Sequence, residues 1–318
     1  MKMELRGRLL VTGTLAWLLG YCPSAAQSQE RRAFFQPVPT VQLGDAAQQA
    51  QVSLGRKLFS DPILSKDRTI SCNSCHNLAT AGVDNEPTSP GVGGHRGTRN
   101  SPTVYNAAVH VAQFWDGRAK DVEEQALGPV LNPGEMAMPD AAAVEARLRA
   151  DQTYREAFKK AFPQDAEPVT FANMGKAIGA FERTLLTPSR FDDFLQGRED
   201  ALTDAEKKGL DKFISTGCIA CHNGVGVGGG MFQKLGLVQP YKTTDEGRFQ
   251  VTHAEADKFV FKVPSLRHVD KTGPYFHDGS ITSLDTAVDL MAKHQLGKTL
   301  SPEDRAEIVT FLRSLSPK

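Results

Sequence analysis

Two thiols separated by two residues, with an imidazole directly behind them, occur twice in this chain, as Cys72-Asn73-Ser74-Cys75-His76 and as Cys218-Ile219-Ala220-Cys221-His222. The pattern C-x-x-C-H suits covalent attachment of c-type haem: the thiols add to the haem vinyl groups and the imidazole binds iron from one face. Two copies imply two covalent haems, one on Cys72, Cys75 and His76 and one on Cys218, Cys221 and His222. Other uses of paired cysteines fit less well. A shared zinc would need distant pairs brought together and has no use for a His after each. A thioredoxin-like pair needs a helix starting at the motif and no obligatory His.

The 318 residues are 40% hydrophobic and 23% charged, the make-up of an ordinary globular protein with room for two domains. Lys+Arg and Asp+Glu stand equal at 37, so charge gives no footing for nucleic acid or an anionic membrane. Lys2, Arg6 and Arg8 precede an apolar run from Leu9 to Leu19 and then Ser24-Ala25-Ala26, the layout of a secretory signal peptide over residues 1–26. The run is short for a membrane span, so no stable membrane insertion is expected after cleavage. A lipid anchor at Cys22 is the rival, and bulky Tyr21 argues against it. Cleavage removes Cys22, which leaves every remaining cysteine inside a haem motif and none for a disulfide. Because c-type haem is attached outside the cytoplasm in bacteria, leader and motifs agree on the periplasm.

The elements that must position these groups are mainly helical. Residues 27–41, with Pro37 and Pro39, read as an extended arm. Val52, Leu54 and Leu58 give a helix over 45–59, stopped by Asp61-Pro62, ahead of the first motif. Thr203-Asp204-Ala205-Glu206 is a capping box opening a helix to about Ile214, with Gly217 past its end, ahead of the second. Further on, Pro102-Thr103-Val104 leads to Phe114-Trp115-Asp116-Gly117 at the same spacing as Pro264-Ser265-Leu266 leads to Phe276-His277-Asp278-Gly279, an internal duplication. Helical patterns follow over 122–127, 141–148, 154–162 and 284–293. Each half closes on a stronger helix, through Met174, Ile178, Phe181 and Leu185, and from Ser301-Pro302 through Ile308, Phe311 and Leu312. No alternating run is long enough for a sheet. The expected class is mainly α: two cytochrome c-like domains, 27–188 and 189–318, crossing near 188–197, with long haem-wrapping loops. The Gly-rich run 224–230 contains G-x-G-x-x-G but follows no strand, so close backbone approach to haem is the better reading.

With its two motifs, its paired segments, Gln113-Phe114-Trp115-Asp116-Gly117-Arg118 and Pro274-Tyr275-Phe276-His277-Asp278-Gly279, the chain resembles the bacterial di-haem cytochrome c peroxidases over nearly its whole mature length. The resemblance implies that the second haem, held by His222 and Met291, takes in electrons; Met231 and His294 are the competing ligands. It implies that the first haem, on His76, meets hydrogen peroxide, with Glu135 as acid-base group, Gln125 positioning peroxide and Trp115 between the haems. It places a calcium ion between the domains on Asn100, Thr272 and Pro274, whose oxygens suit that ion. The electron donor it implies is a small c-type cytochrome or a cupredoxin, and a homodimer is the family's common state.

One departure concerns the distal His that closes the peroxide site in many members. Val92 stands near that place and His95 follows three residues on, in a loop loosened by Gly91, Gly93 and Gly94. Either His95 supplies the ligand, or the site is open at rest. His110, His253 and His268 read as surface or structural residues, and His277 as a neighbour of the second haem. Two other functions compete: a di-haem electron carrier without turnover, against which Glu135 and Gln125 argue, and a relative of the di-haem oxidase that matures methylamine dehydrogenase, which has Tyr where Met291 stands.

Overall fold

The computed structural model describes residues 25–317. All but the last two residues of the expected leader, Cys22 among them, lie outside the described residues. The described chain begins with a short helix, α1 (Ala25–Arg32), so the arm is extended only beyond it. α2 (Ala46–Ser60) starts where the Asp45 side chain accepts from Gln48 N and stops ahead of Pro62, burying Val52, Leu54, Leu58 and Phe59. The first motif forms a single turn, α3 (Cys72–Cys75). The helix expected over 122–127 is the single turn α4 (Val122–Gln125), and a further turn, α5 (Gly128–Leu131), follows because Gly128-Pro129 starts a new one. α6 (Ala141–Ala150), α7 (Gln152–Ala161) and α8 (Phe171–Glu182) complete a first core in which Leu58, Phe59, Phe158 and Phe181 are fully buried.

The crossing over 188–197 holds a helix, α9 (Arg190–Leu195), opened by a Ser189/Asp192 capping box. α10 (Asp204–Thr216) has the Thr203/Glu206 capping box and ends on Gly217 at φ 101, a left-handed cap. Between α10 and the last helices lie a one-turn helix, α11 (Phe249–Thr252), and two three-residue strands, β1 (Phe232–Lys234) and β2 (Val260–Lys262), paired antiparallel with Phe232 opposite Lys262. This small sheet is an addition to the all-helical expectation; three residues per strand are too few for alternation to show. α12 (Leu284–Leu296) and α13 (Pro302–Arg313) close a second core around Phe191, Phe213 and Phe311.

The two cores are built alike. α2 packs on α8 and α10 on α13, and each first helix carries a glycine at the closest approach: a β-carbon on Gly55 would collide with the Ala177 carbonyl, and one on Gly209 with the Glu307 carbonyl. The duplicated turns also match. Gln113 pairs with Ala119 and Tyr275 with Ile281, and Phe114 and Phe276 both take left-handed backbone, at φ 64 and 69.

The arm belongs with the second core, although the sequence sets it beside the first. Phe35 is buried edge-on against Phe191, with ring centroids 5.1 Å apart, and Val38 N donates to Asp192 2.8 Å away. Asp192 also takes two 2.9 Å bonds from the guanidinium of Arg267, and both side chains are essentially sealed from water. Arg267 donates further to the Val225 carbonyl, so one buried ion pair ties arm, crossing and Gly-rich run together.

Candidate haem sites

In both motifs the His amide closes the cysteine turn: His76 N donates to Cys72 O and His222 N to Cys218 O, each at 2.9 Å. Cys72 packs against the first core and Cys218 against the second. All four thiols are unpaired. Burial pushes Cys72 and Cys218 up to about 12 and Cys75 up to about 11. Unpaired and followed directly by a His, these thiols fit thioether attachment.

The imidazoles are prepared as ligands. His76 Nδ1 lies 3.0 Å from the Pro102 carbonyl, which can only accept, so the proton sits on Nδ1 and Nε2 keeps its lone pair. His222 Nδ1 is buried without a hydrogen-bond partner among the described residues, beside the backbone of Val227 and Pro264. Burial lowers both imidazoles, His222 to about 4, and keeps them neutral. Pro102 and Pro264, which stand at matching places in the sequence, each lie beside the motif His, and Pro102 is the one bonded to it. The Gly-rich run approaches the His as well: a β-carbon on Gly228 would strike the Pro264 carbonyl and come within 3.0 Å of His222 Nδ1.

A cavity opens beside the second motif, lined by Cys218, Cys221, His222 and Met291 with Leu284 and Val288. Met291 therefore shares a chamber with His222. Neither rival, Met231 nor His294, lines this cavity. The first half reaches into this chamber with Asn100, His110 and Trp115. Trp115 Nε1 donates to Asn100 O at 2.9 Å, while its carbonyl accepts from Lys262 N at 2.7 Å, so the side chain is held by the first half and the main chain by the second. The next residue, Asp116, is buried under Arg99, which also grips Asp245 of the second half. Asn100, Thr272 and Pro274 line the same chamber. Asn100 Nδ2 faces the carbonyls of Glu86 and Pro87, which leaves Oδ1 uncommitted. Among the described residues no group of three or more His, Cys, Asp or Glu gathers for a metal, so a cation there would depend on neutral oxygens.

Glu135 lies at the first motif. Burial raises its carboxyl above the ordinary range, opposed by Arg118 and by Asn132, whose Nδ2 donates to Oε1 at 2.8 Å. Its charge in turn helps raise Cys75. α5 fixes the segment: Pro129 O accepts from Met136 N and Val130 O from Met138 N. Gln125 ends α4 just before that turn, half-buried. The Gly-rich loop 91–95 rests on Glu135, with Val92 N donating to Glu135 O at 2.8 Å, and a β-carbon on Gly91 would collide with Gly134 O. His95 is exposed on this loop.

Four residues escaped the sequence reading. His110, read as surface or structural, lines the second cavity, and Lys262 lines it too. Glu182 is a buried carboxyl whose charge helps raise Cys72. His268 stacks on Tyr105 at 5.3 Å and shares Thr187 Oγ1 with Asn106, a seam between the halves. Of the other histidines, His253 is exposed, and His277 lines the second cavity with its carbonyl on Asn100 N.

Neutral imidazoles behind unpaired, half-buried thiols, set against two helical cores, define a helical redox protein of the c-type haem class. The family model for di-haem cytochrome c peroxidase matches residues 49–200. The chain is 46% identical to the cytochrome c551 peroxidase of Pseudomonas aeruginosa over 98% of its length and 93% of that protein's. It is 44% identical to the cytochrome c551 peroxidase of Nitrosomonas europaea, over 97% and 92% respectively. The crystal structure of a MauG-like protein associated with microbial copper homeostasis superposes with a TM-score of 0.75 at 30% identity, covering 89% of this chain and 93% of that one. The chain belongs to the di-haem cytochrome c peroxidase family and is a haem peroxidase.

Proposed function

We propose that the chain reduces hydrogen peroxide to water in the periplasm, taking electrons singly from a small c-type cytochrome or cupredoxin at the second motif and using them at the first. The reading rests on the contrast between the two sites: His222 shares an apolar cavity with a thioether, Met291, whereas His76 shares its neighbourhood with a proton-holding carboxyl, Glu135. Bound haem supplies an iron that exchanges electrons at both sites and, where one face is open, accepts peroxide.

Each residue then has a task. Met291 would hold the iron of the second haem together with His222, and its thioether would favour the reduced state. Glu135 takes a proton from peroxide's inner oxygen and returns it to the outer one, and Gln125 orients the oxidant. Asn132 and Arg118 keep Glu135 from holding its proton too tightly. Trp115, bonded to both halves, bridges the sites. Asn100, Thr272 and Pro274 hold calcium between domains 27–188 and 189–318, the arm lying across the second. The matching helix pairs and turns support descent of the two domains from one duplicated unit. The exposed His95 leaves the peroxide site open in the oxidised protein.

An anaerobic redox titration followed by absorption and EPR tests this assignment. The expected result is one high-potential haem with a thioether signature and one low-potential haem that is high-spin when fully oxidised. Two six-coordinate haems at every redox state would refute it, and a high-spin signal that develops only after half reduction would assign His95 as a gate.

A further inference from the structure

Lys262 presents a charge with nothing to balance it. It is 5% exposed, lies on β2 and lines the second cavity, and among the described residues its side chain has one hydrogen-bond partner, His110 Nδ1, 3.3 Å from Nζ. Burial, unopposed by any acid, lowers it to about 8. His110 is equally short of partners: Nε2 is buried and bonded to nothing among the described residues, and Lys262 adds to the effect of burial in keeping the ring neutral. Neither position is slack. Lys262 N is tied to Trp115 O, Val111 N to Gly229 O, and a β-carbon on Gly229 would collide with the His110 ring. A buried ammonium is tolerated when an anion meets it. This one faces a chamber whose lining from Leu284 to Leu312 is apolar but for Gln295, while the polar side chains Asn100, Ser101, Thr103 and His110 come from the first half.

We propose that Lys262, with His110 behind it, receives a propionate carboxylate of the haem anchored at Cys218 and Cys221, and that this contact raises the reduction potential of that site. The inference rests on the reading of the cavity as a haem chamber and adds the orientation in which the haem lies: carboxylate edge toward the first half, apolar edge toward α12 and α13. A cation beside the haem favours the electron-rich state. Lys262 is thus a positioning residue that helps the second site to draw electrons from its donor.

The test compares holoprotein with Lys262→Met and Lys262→Arg, reading haem content and the potentials of both haems. Lys262→Met keeps the length of the chain and removes the charge. It should retain two haems while the reduced-to-oxidised ratio of the Met-ligated haem falls about tenfold at fixed potential, about 59 mV for one electron. The other haem should stay unchanged, and Lys262→Arg should restore the ratio. Two bound haems with both potentials unchanged in Lys262→Met would overturn the inference and leave the haem reading intact; unmutated protein with no haem at the second motif would overturn both. If Lys262→Met fails to load, the resonance Raman propionate-bending mode of unmutated holoprotein decides. Hydrogen bonding should set it above that of a haem c peptide in water, and coincidence with the peptide would refute the contact.

Discussion

Replacing Glu135 with Gln removes a proton carrier and little else. Asn132 Nδ2, 2.8 Å from Oε1, can donate to the amide oxygen as it does to the carboxylate, and loop 91–95 contacts Glu135 through its main chain. Haem loading and fold should therefore survive, with stability changed by no more than about 1–2 kcal/mol. Turnover should not. A positioned acid-base group contributes roughly 10²–10⁴ in rate, equivalent to about 2.7–5.4 kcal/mol in the barrier. In the unmutated enzyme the acid limb of kcat/KM should lie above the ordinary carboxylate value of 4.5, because burial raises Glu135, and that limb should be missing from the variant. Steady-state oxidation of a reduced small cytochrome by peroxide across pH 4–9 reads both effects. Gly91→Ala reaches the same carboxylate indirectly: its β-carbon would strike the Gly134 carbonyl and come 2.8 Å from Glu135 Cα, so activity should fall with the haems in place. A Glu135→Gln enzyme with two haems, an intact acid limb and kcat/KM within threefold of the unmutated value would refute the role assigned to this carboxyl.

Met291→His exchanges a thioether for an imidazole and should lower the potential of the second haem on the order of 0.1 V, seen by potentiometric titration, with slower electron uptake from the donor. Arg267→Ala strands a buried carboxylate, Asp192, and should lower stability by about 3–5 kcal/mol in a urea titration of the holoprotein. Glu182 is raised to about 8 by burial and by the charge of Glu123. A raised acid stabilises fully below its unfolded value of 4.5 and loses that contribution as pH climbs through 8, so melting temperature should drop over this window and Glu182→Gln should flatten the drop.

What could be read from the chain was local. The cysteine motifs, the Thr203/Glu206 capping box, the Ser301-Pro302 start and the Pro-to-Asp-Gly repeat each fit inside a few turns of backbone, and the structure has them where the spacing put them. Met291 was singled out by resemblance, and the cavity sets it in one chamber with His222. The remainder depends on partners far apart in sequence or on main-chain atoms. The carbonyl of Pro102 that orients His76 carries no side-chain signature, so the repeated proline was visible while its use was not. Lys262 and His110 have unremarkable neighbours and acquire meaning only when β2 lies beside the Trp115 turn. Phe35 sits in an arm that the prolines mark as extended, and no pattern in it tells which core it enters. The extra turn α5 is too short for apolar spacing to mark it, although Pro129 stands in its first turn.

Under the proposed division of labour, one site collects electrons and the other breaks peroxide with the help of a carboxyl. Counting donor molecules oxidised per peroxide consumed, with purified holoprotein and an excess of reduced small c-type cytochrome, tests this most directly. The prediction is two donors per peroxide with water as the product. Holoprotein carrying both haems that leaves peroxide untouched while accepting electrons from the donor would contradict it.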